Sequence, residues 1–190
     1  MKKSIISING FPGSGKSSTA NGVAKALDYK RFSSGDFMRN AAISKGVSLN
    51  AFSSMAEKDP SIDYMIDAEV KRAGTMENLV IDSRLAFHWI PESFKVYLVL
   101  PSEIAKERVL NNLKENELRK RSEYAPTRDE VYQKITERLA SEKKRYKELY
   151  NIDHTDKNNY DLVVDTNTNT LEEVIQLVVK EYKKWQQLEN

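Results

Sequence analysis

Gly10-Phe11-Pro12-Gly13-Ser14-Gly15-Lys16-Ser17 matches the pattern G-x-x-x-x-G-K-[S/T] at every required position. Glycines so spaced let successive backbone N–H groups converge, and converging N–H groups are what phosphate oxygens require. Lys16, directly after the last glycine, is placed to reach the β and γ phosphates of a nucleoside triphosphate, and the Ser17 hydroxyl to ligate Mg2+. The motif carries this meaning only between a strand and a helix. Residues 5–8 before it form a short run rich in β-branched side chains, and Ala20, Val23, Ala24 and Leu27 after it recur at helical spacing. The helix turns its positive dipole end toward the bound anion. Gly10, Gly13, Ser14, Gly15, Lys16, Ser17 and Ser18 are the expected ATP-binding residues of this loop.

A loop of this kind must be carried by buried strands. Short apolar runs at 5–8, 79–81, 96–100 and 162–164 read as four of them, with a weaker fifth at 29–32. Helical patterns separate the runs, and strands alternating with helices imply a parallel α/β sheet. The last helix is the clearest: Thr170 with Glu173 forms a capping-box signature ahead of an apolar face of Leu171, Val174, Ile175, Val178, Tyr182 and Trp185. Two segments break the alternation, 33–73 and 111–150, the first helical with breaks at Gly46 and Asp59-Pro60, the second dense in both charge signs. Both read as excursions over the carboxyl edge of the sheet, where open α/β sheets bind ligands. The whole chain, 1–190, is read as one domain.

Ser34-Gly35-Asp36-Phe37-Met38-Arg39 resembles the Thr-Gly-Asp-x-x-Arg segment of nucleoside monophosphate kinases, and Asp82-Ser83-Arg84 resembles the Asp-Gly-x-x-Arg or Asp-Gly-Arg of adenylate and cytidylate kinases. Further likeness runs through Asp59-Pro60-Ser61-Ile62-Asp63, Ser141 to Tyr146, Tyr150 to Asp153 and Tyr160 to Thr166, and it is closest to the short cytidylate kinases of archaeal type. The resemblance implies an α/β fold of the P-loop NTPase kind, a three-layer α/β/α sandwich of about five parallel strands with a helical monophosphate-binding insertion (33–73) and a lid (111–150). It implies that Ser34, Asp36, Arg39, Asp63 and Arg84 bind the acceptor, with His88 as a base reader. It implies that Asp82 holds a water of the Mg2+ shell. Ser83 stands where the family has glycine.

The same resemblance places Arg138 and Arg145 as lid arginines that close over the transferring phosphoryl group, and Arg108 against the adenine face. Arg138 and Arg145 are seven residues apart, two turns along one helical face. Lys16, Arg84, Arg138 and Arg145 are the expected catalytic cations. Asn112 departs from the pattern, since relatives often carry a lid arginine there; Arg119 or Arg121 would substitute.

Composition excludes several other functions. The formal charge is +2 and acidic residues interrupt every basic cluster, so neither nucleic acid nor a membrane is expected as a partner. The absence of cysteine excludes a thiolate metal site, a disulfide framework and a cysteine nucleophile together. His88 and His154 are too far apart in sequence to form a ligand pair at helical spacing. Mean hydropathy is −0.62, and a cytoplasmic monomer is expected. The reaction implied is transfer of the terminal phosphoryl group of ATP, with Mg2+, onto a nucleoside monophosphate, CMP or dCMP first. Three alternatives stand beside it: AMP or UMP as acceptor; a hydroxyl acceptor with Asp36 as general base, as in shikimate kinases; and a nucleotide-gated binding protein without kinase turnover.

Overall fold

The computed structural model describes residues 3–115, 117–122 and 128–188, without the side chains of 110, 112–115, 117, 119, 120, 128 and 131. Five strands form the centre: β1 (Ile5–Gly10), β2 (Lys30–Ser33), β3 (Leu79–Asp82), β4 (Phe94–Val99) and β5 (Leu162–Asp165). They make one sheet in the order β2-β3-β1-β4-β5, with every neighbouring pair parallel. The weak run at 29–32 is a genuine strand at the sheet edge, shifted by one residue. β4 starts two residues earlier than its apolar run, because Phe94 is buried on one side of the intervening Lys95.

Side chains alternate across the sheet with period two. Ile6, Ile8, Val80, Phe94, Val96 and Leu98 face one side, where α1 (Lys16–Leu27) and α9 (Leu171–Gln187) cover them with Ala20, Val23, Val174, Val178 and Tyr182. The capping box of α9 forms as expected, Thr170 Oγ1 accepting from the Glu173 N–H while Glu173 accepts from the Thr170 N–H. Ile5, Leu79 and Ile81 face the opposite side, against Val70 and Ala73 of α4 (Ser61–Ala73) and Ala86 of α5 (Ala86–Trp89). The architecture is three-layer α/β/α.

Segment 33–73 folds into α2 (Ser34–Ser44), α3 (Leu49–Ala56) and α4, with a core of its own from Met38, Ala42, Leu49, Phe52, Ala56 and Ile62. Its breaks fall at Gly46 and Asp59-Pro60, as read from the sequence. α6 (Ser102–Glu115) runs through position 111 without interruption, and α7 (Glu117–Ser122) and α8 (Arg128–Tyr150) follow. α8 returns across the carboxyl edge of the sheet and contacts α3 through Asn50 and Glu57, which pair with Arg138 and Ser141. The strand ends therefore lie beneath a roof made of α2, α3 and α8.

Candidate active site

The loop after β1 closes tightly on the body of the protein. A Cβ on Gly13 would stand 2.7 Å from the Ala105 carbonyl oxygen, and φ is +85° there, so only glycine fits without strain. Gly15 takes the left-handed conformation at the N-cap of α1, and no side chain caps that helix. Its first N–H groups are left for an anion. Lys16 Nζ donates to the carbonyl oxygens of Gly10 and Phe11, each at 2.9 Å, which holds the ammonium over the loop.

β3 delivers Asp82 beside this loop. Ser17 Oγ donates to Asp82 Oδ2 at 2.8 Å. A hydroxyl and a carboxylate side by side are hard oxygen donors suited to Mg2+, which keeps waters and substrate phosphates as its other ligands. Among the described residues no group of three or more His, Cys, Asp or Glu forms an all-protein metal cage. Ser83, in the family's glycine position, is not at positive φ and lines the cleft, so serine there carries no backbone strain.

β2 ends at the acceptor side. Ser33 caps α2 by accepting from the Asp36 N–H, while Ser34 Oγ donates to the Asp82 carbonyl oxygen at 3.4 Å. Arg39 Nη1 donates to Asp36 Oδ1 at 3.3 Å. From the far wall, Arg84 Nε donates to Glu142 Oε2 at 3.0 Å and its Nη1 to the Gly10 carbonyl oxygen at 2.7 Å. Arg138 donates to Asn50 Oδ1 at 3.1 Å and lies 3.8 Å from Glu142. Burial pushes the Glu142 carboxyl up, but Arg84 and Arg138 outweigh it and hold the group below the usual carboxylate range.

Lys16, Ser17, Ser34, Arg39, Asp82, Arg84 and Arg138 line one cleft together with Glu142, Tyr146 and an apolar patch of Met38, Leu49, Ile66 and Ile135. The cleft encloses about 790 Å³, counting its open mouth. Planar guanidinium groups on several sides of one space suit bidentate recognition of phosphate. The apolar patch offers a surface for a flat ring.

Not every expected residue meets there. Arg145 is buried against Asp63, Nε to Oδ2 at 2.8 Å and Nη2 to Oδ1 at 3.3 Å, and neither residue lines the cleft. Arg138 and Arg145 share a helix, yet only the first reaches the cleft. His88 is exposed on α5, packed edge-on against Trp89 at 4.5 Å between ring centroids, away from the lining residues. Arg108 Nη2 donates to the Thr166 carbonyl oxygen at 2.9 Å, and Arg108 is not among the residues that line the cleft. Ser14 is buried and Ser18 exposed. Asp36 stands just outside the lining residues. Arg121 is exposed, and the side chains of Asn112 and Arg119 lie outside the described residues.

Sequence reasoning left three participants without a role. Glu142 is four residues from Arg138, a helical pairing interval that was available as a signal. Arg31 touches two site carboxylates, and nothing in its sequence neighbourhood marks it. His154 is fully buried beside Tyr146, its carbonyl oxygen accepting from Asn9 and Tyr160.

The model of the cytidylate kinase-like family matches residues 5–168. The cytidylate kinase of Methanosphaera stadtmanae is 30% identical over 177 residues, 93% of this chain and 96% of that protein. That of Methanocaldococcus jannaschii is 34% identical over 179 residues, 92% and 94% of the two chains. An S-adenosylmethionine-dependent nucleotide dehydratase of Lacinutrix mariniflava is 33% identical over 184 residues, 96% of this chain, but this chain spans only 36% of that protein. Among solved structures, a shikimate kinase from Acinetobacter baumannii superposes with a TM-score of 0.60 at 14% identity, over 95% of this chain and 93% of that one. A gluconokinase from Sinorhizobium meliloti also superposes with a TM-score of 0.60, at 16% identity and over 97% of both chains. At such identities these two show the shared P-loop kinase fold alone. With the phosphate loop and the arginine-lined cleft on one sheet edge, and the family match along most of its length, the chain belongs to the cytidylate kinase-like family of phosphotransferases.

Proposed function

We propose that the protein moves the γ-phosphoryl group of ATP onto CMP or dCMP, with Mg2+ as the metal. The observation that carries this reading is a single cleft in which Lys16 and Ser17 of the donor loop face Arg39, Arg84 and Arg138. A second phosphate needs that second set of cations, whereas a hydroxyl acceptor needs fewer. The named cytidylate kinases among the relatives support the cytosine base.

The residues divide the work by position. Lys16 and the loop N–H groups hold the β and γ phosphates; Ser17 and Asp82 would hold Mg2+. Bound there, Mg2+ neutralises donor phosphate charge. Arg39, Arg84 and Arg138 orient the acceptor phosphate for in-line attack, and no general base is required because that phosphate is already ionised near neutral pH. Segment 33–73 and α8 with the segment before it act as the acceptor insertion and the lid, excluding water from the transfer. Arg145 supports this roof through Asp63 instead of touching phosphate. The Asp36 carboxylate already accepts from Arg39 and Arg31, which disfavours the reading of Asp36 as a general base.

ADP release from Mg-ATP is to be measured against CMP, dCMP, UMP, AMP, GMP and shikimate. Turnover highest with CMP or dCMP supports the reading. Highest turnover with another monophosphate moves the base assignment, and turnover only with shikimate, or none, overturns the proposal.

A further inference from the structure

Arg31 lies behind the cleft wall, on the edge strand β2, and is not among the residues that line the cleft. Its Nη2 donates to Asp36 Oδ2 at 3.2 Å and to Asp82 Oδ2 at 3.3 Å. The second of these oxygens is the one that accepts from Ser17, and the partner oxygen of Asp36 accepts from Arg39. A continuous chain of charged contacts thus runs Ser17, Asp82, Arg31, Asp36, Arg39, from the donor loop to the acceptor side. Arg31 Nε is buried with no hydrogen-bond partner, so the two carboxylates decide where the guanidinium sits.

We propose that Arg31 is a positioning residue for phosphoryl transfer, one guanidinium that balances Asp82 and Asp36 and so sets both the Ser17–Asp82 contact and the aim of Arg39. This rests on the kinase reading above. Two carboxylates within reach of one nitrogen repel each other, and each has a second cation or donor nearby that it can over-recruit. Without Arg31, Asp36 draws Arg39 onto itself and away from an incoming phosphate. Asp82 likewise loses the contact that holds it turned toward Ser17. The effect reaches both substrates although Arg31 touches neither.

The test compares wild type, Arg31→Ala, Arg31→Lys and the double variant Arg31→Ala/Asp36→Asn, using whichever monophosphate the wild type phosphorylates best. Calorimetry gives the Kd of that monophosphate without ATP, steady-state assays give KM, kcat and the half-saturating Mg2+ concentration, and urea unfolding reports the fold. Arg31→Ala is expected to raise Kd and KM for the monophosphate about tenfold, the scale of one charged hydrogen bond. It is also expected to raise the half-saturating Mg2+ several-fold, roughly, through Asp82. Because both contacts come from one nitrogen, Arg31→Lys recovers much of the loss. Arg31→Ala/Asp36→Asn brings the Kd back toward wild type, since the Asp36 carboxylate that contacts Arg39 no longer competes for it. Arg31→Ala with a lowered unfolding midpoint but with Kd, KM and Mg2+ dependence unchanged overturns the proposal while leaving the kinase reading intact. A double variant no better than the single one also overturns it. A wild type that phosphorylates no monophosphate overturns the kinase reading and the role of Arg31 together.

Discussion

Replacing Arg145 by methionine separates a catalytic cation from a structural one. The side chains of Arg145 and Asp63 are only 6% and 2% exposed, and they meet through two hydrogen bonds at 2.8 and 3.3 Å. Arg145→Met leaves the Asp63 carboxylate buried without its cation, which costs about 3–5 kcal/mol. For a chain of this length each kcal/mol moves Tm by a few degrees, so the midpoint should fall by roughly 6–20 °C. Asp63→Leu/Arg145→Met removes both charges, and should regain most of that stability because a buried ion pair and a well-packed apolar pair of similar volume are nearly equivalent. Urea unfolding of both single variants, the double variant and wild type gives the coupling energy, and kcat on the same preparations gives the catalytic effect. The double variant should keep kcat within about tenfold of wild type, since neither side chain lines the cleft. Loss of less than about 1 kcal/mol in Arg145→Met, with kcat reduced by orders of magnitude, would refute the structural role and restore the lid-arginine reading.

Three further outcomes are expected. Arg39→Ala should raise KM for the monophosphate about 10- to 100-fold while the KM for ATP changes little, measured by steady-state kinetics with each substrate varied. Gly13→Ala should weaken ATP binding and cost about 1–3 kcal/mol, because its Cβ would meet backbone rather than a movable side chain; calorimetry with Mg-ATP and urea unfolding check both. Burial, with Arg84 adding to it, lowers His154 to about 4, so its neutral form is favoured in the folded state. Its contribution is complete above the unfolded value near 6.5 and is lost as pH falls toward 4, of order 3 kcal/mol in all, and His154→Leu should flatten unfolding free energy across that window.

Much of the fold could be read from the chain because local pattern and global arrangement agree. Strands buried on both faces are written mostly in apolar residues, and β1 and β3 are of this kind, broken only by Ser7 before the polar ends of the two strands. The edge strand β2 is only half buried, so its run was faint and displaced by one residue. The phosphate loop is legible because its chemistry resides in backbone geometry that only glycine permits, written in consecutive residues. The acceptor side is written in fragments, Asp36 with Arg39 and Asp82 with Arg84, and resemblance was needed to join them.

From the residues alone came the triphosphate loop, the parallel sheet, the capped last helix and the cations available to hold phosphate. Tertiary structure decided which of those cations share a space. Arg138 and Arg145 look equivalent on one helical face, but in the packed structure Arg138 lines the cleft while Arg145 pairs with Asp63 on α4. Arg31 and Glu142 each gain a second partner, Asp82 and Arg84, from segments 51 and 58 residues away in sequence. Charge pairing depends on distance through space, and only the packed sheet and roof set those distances.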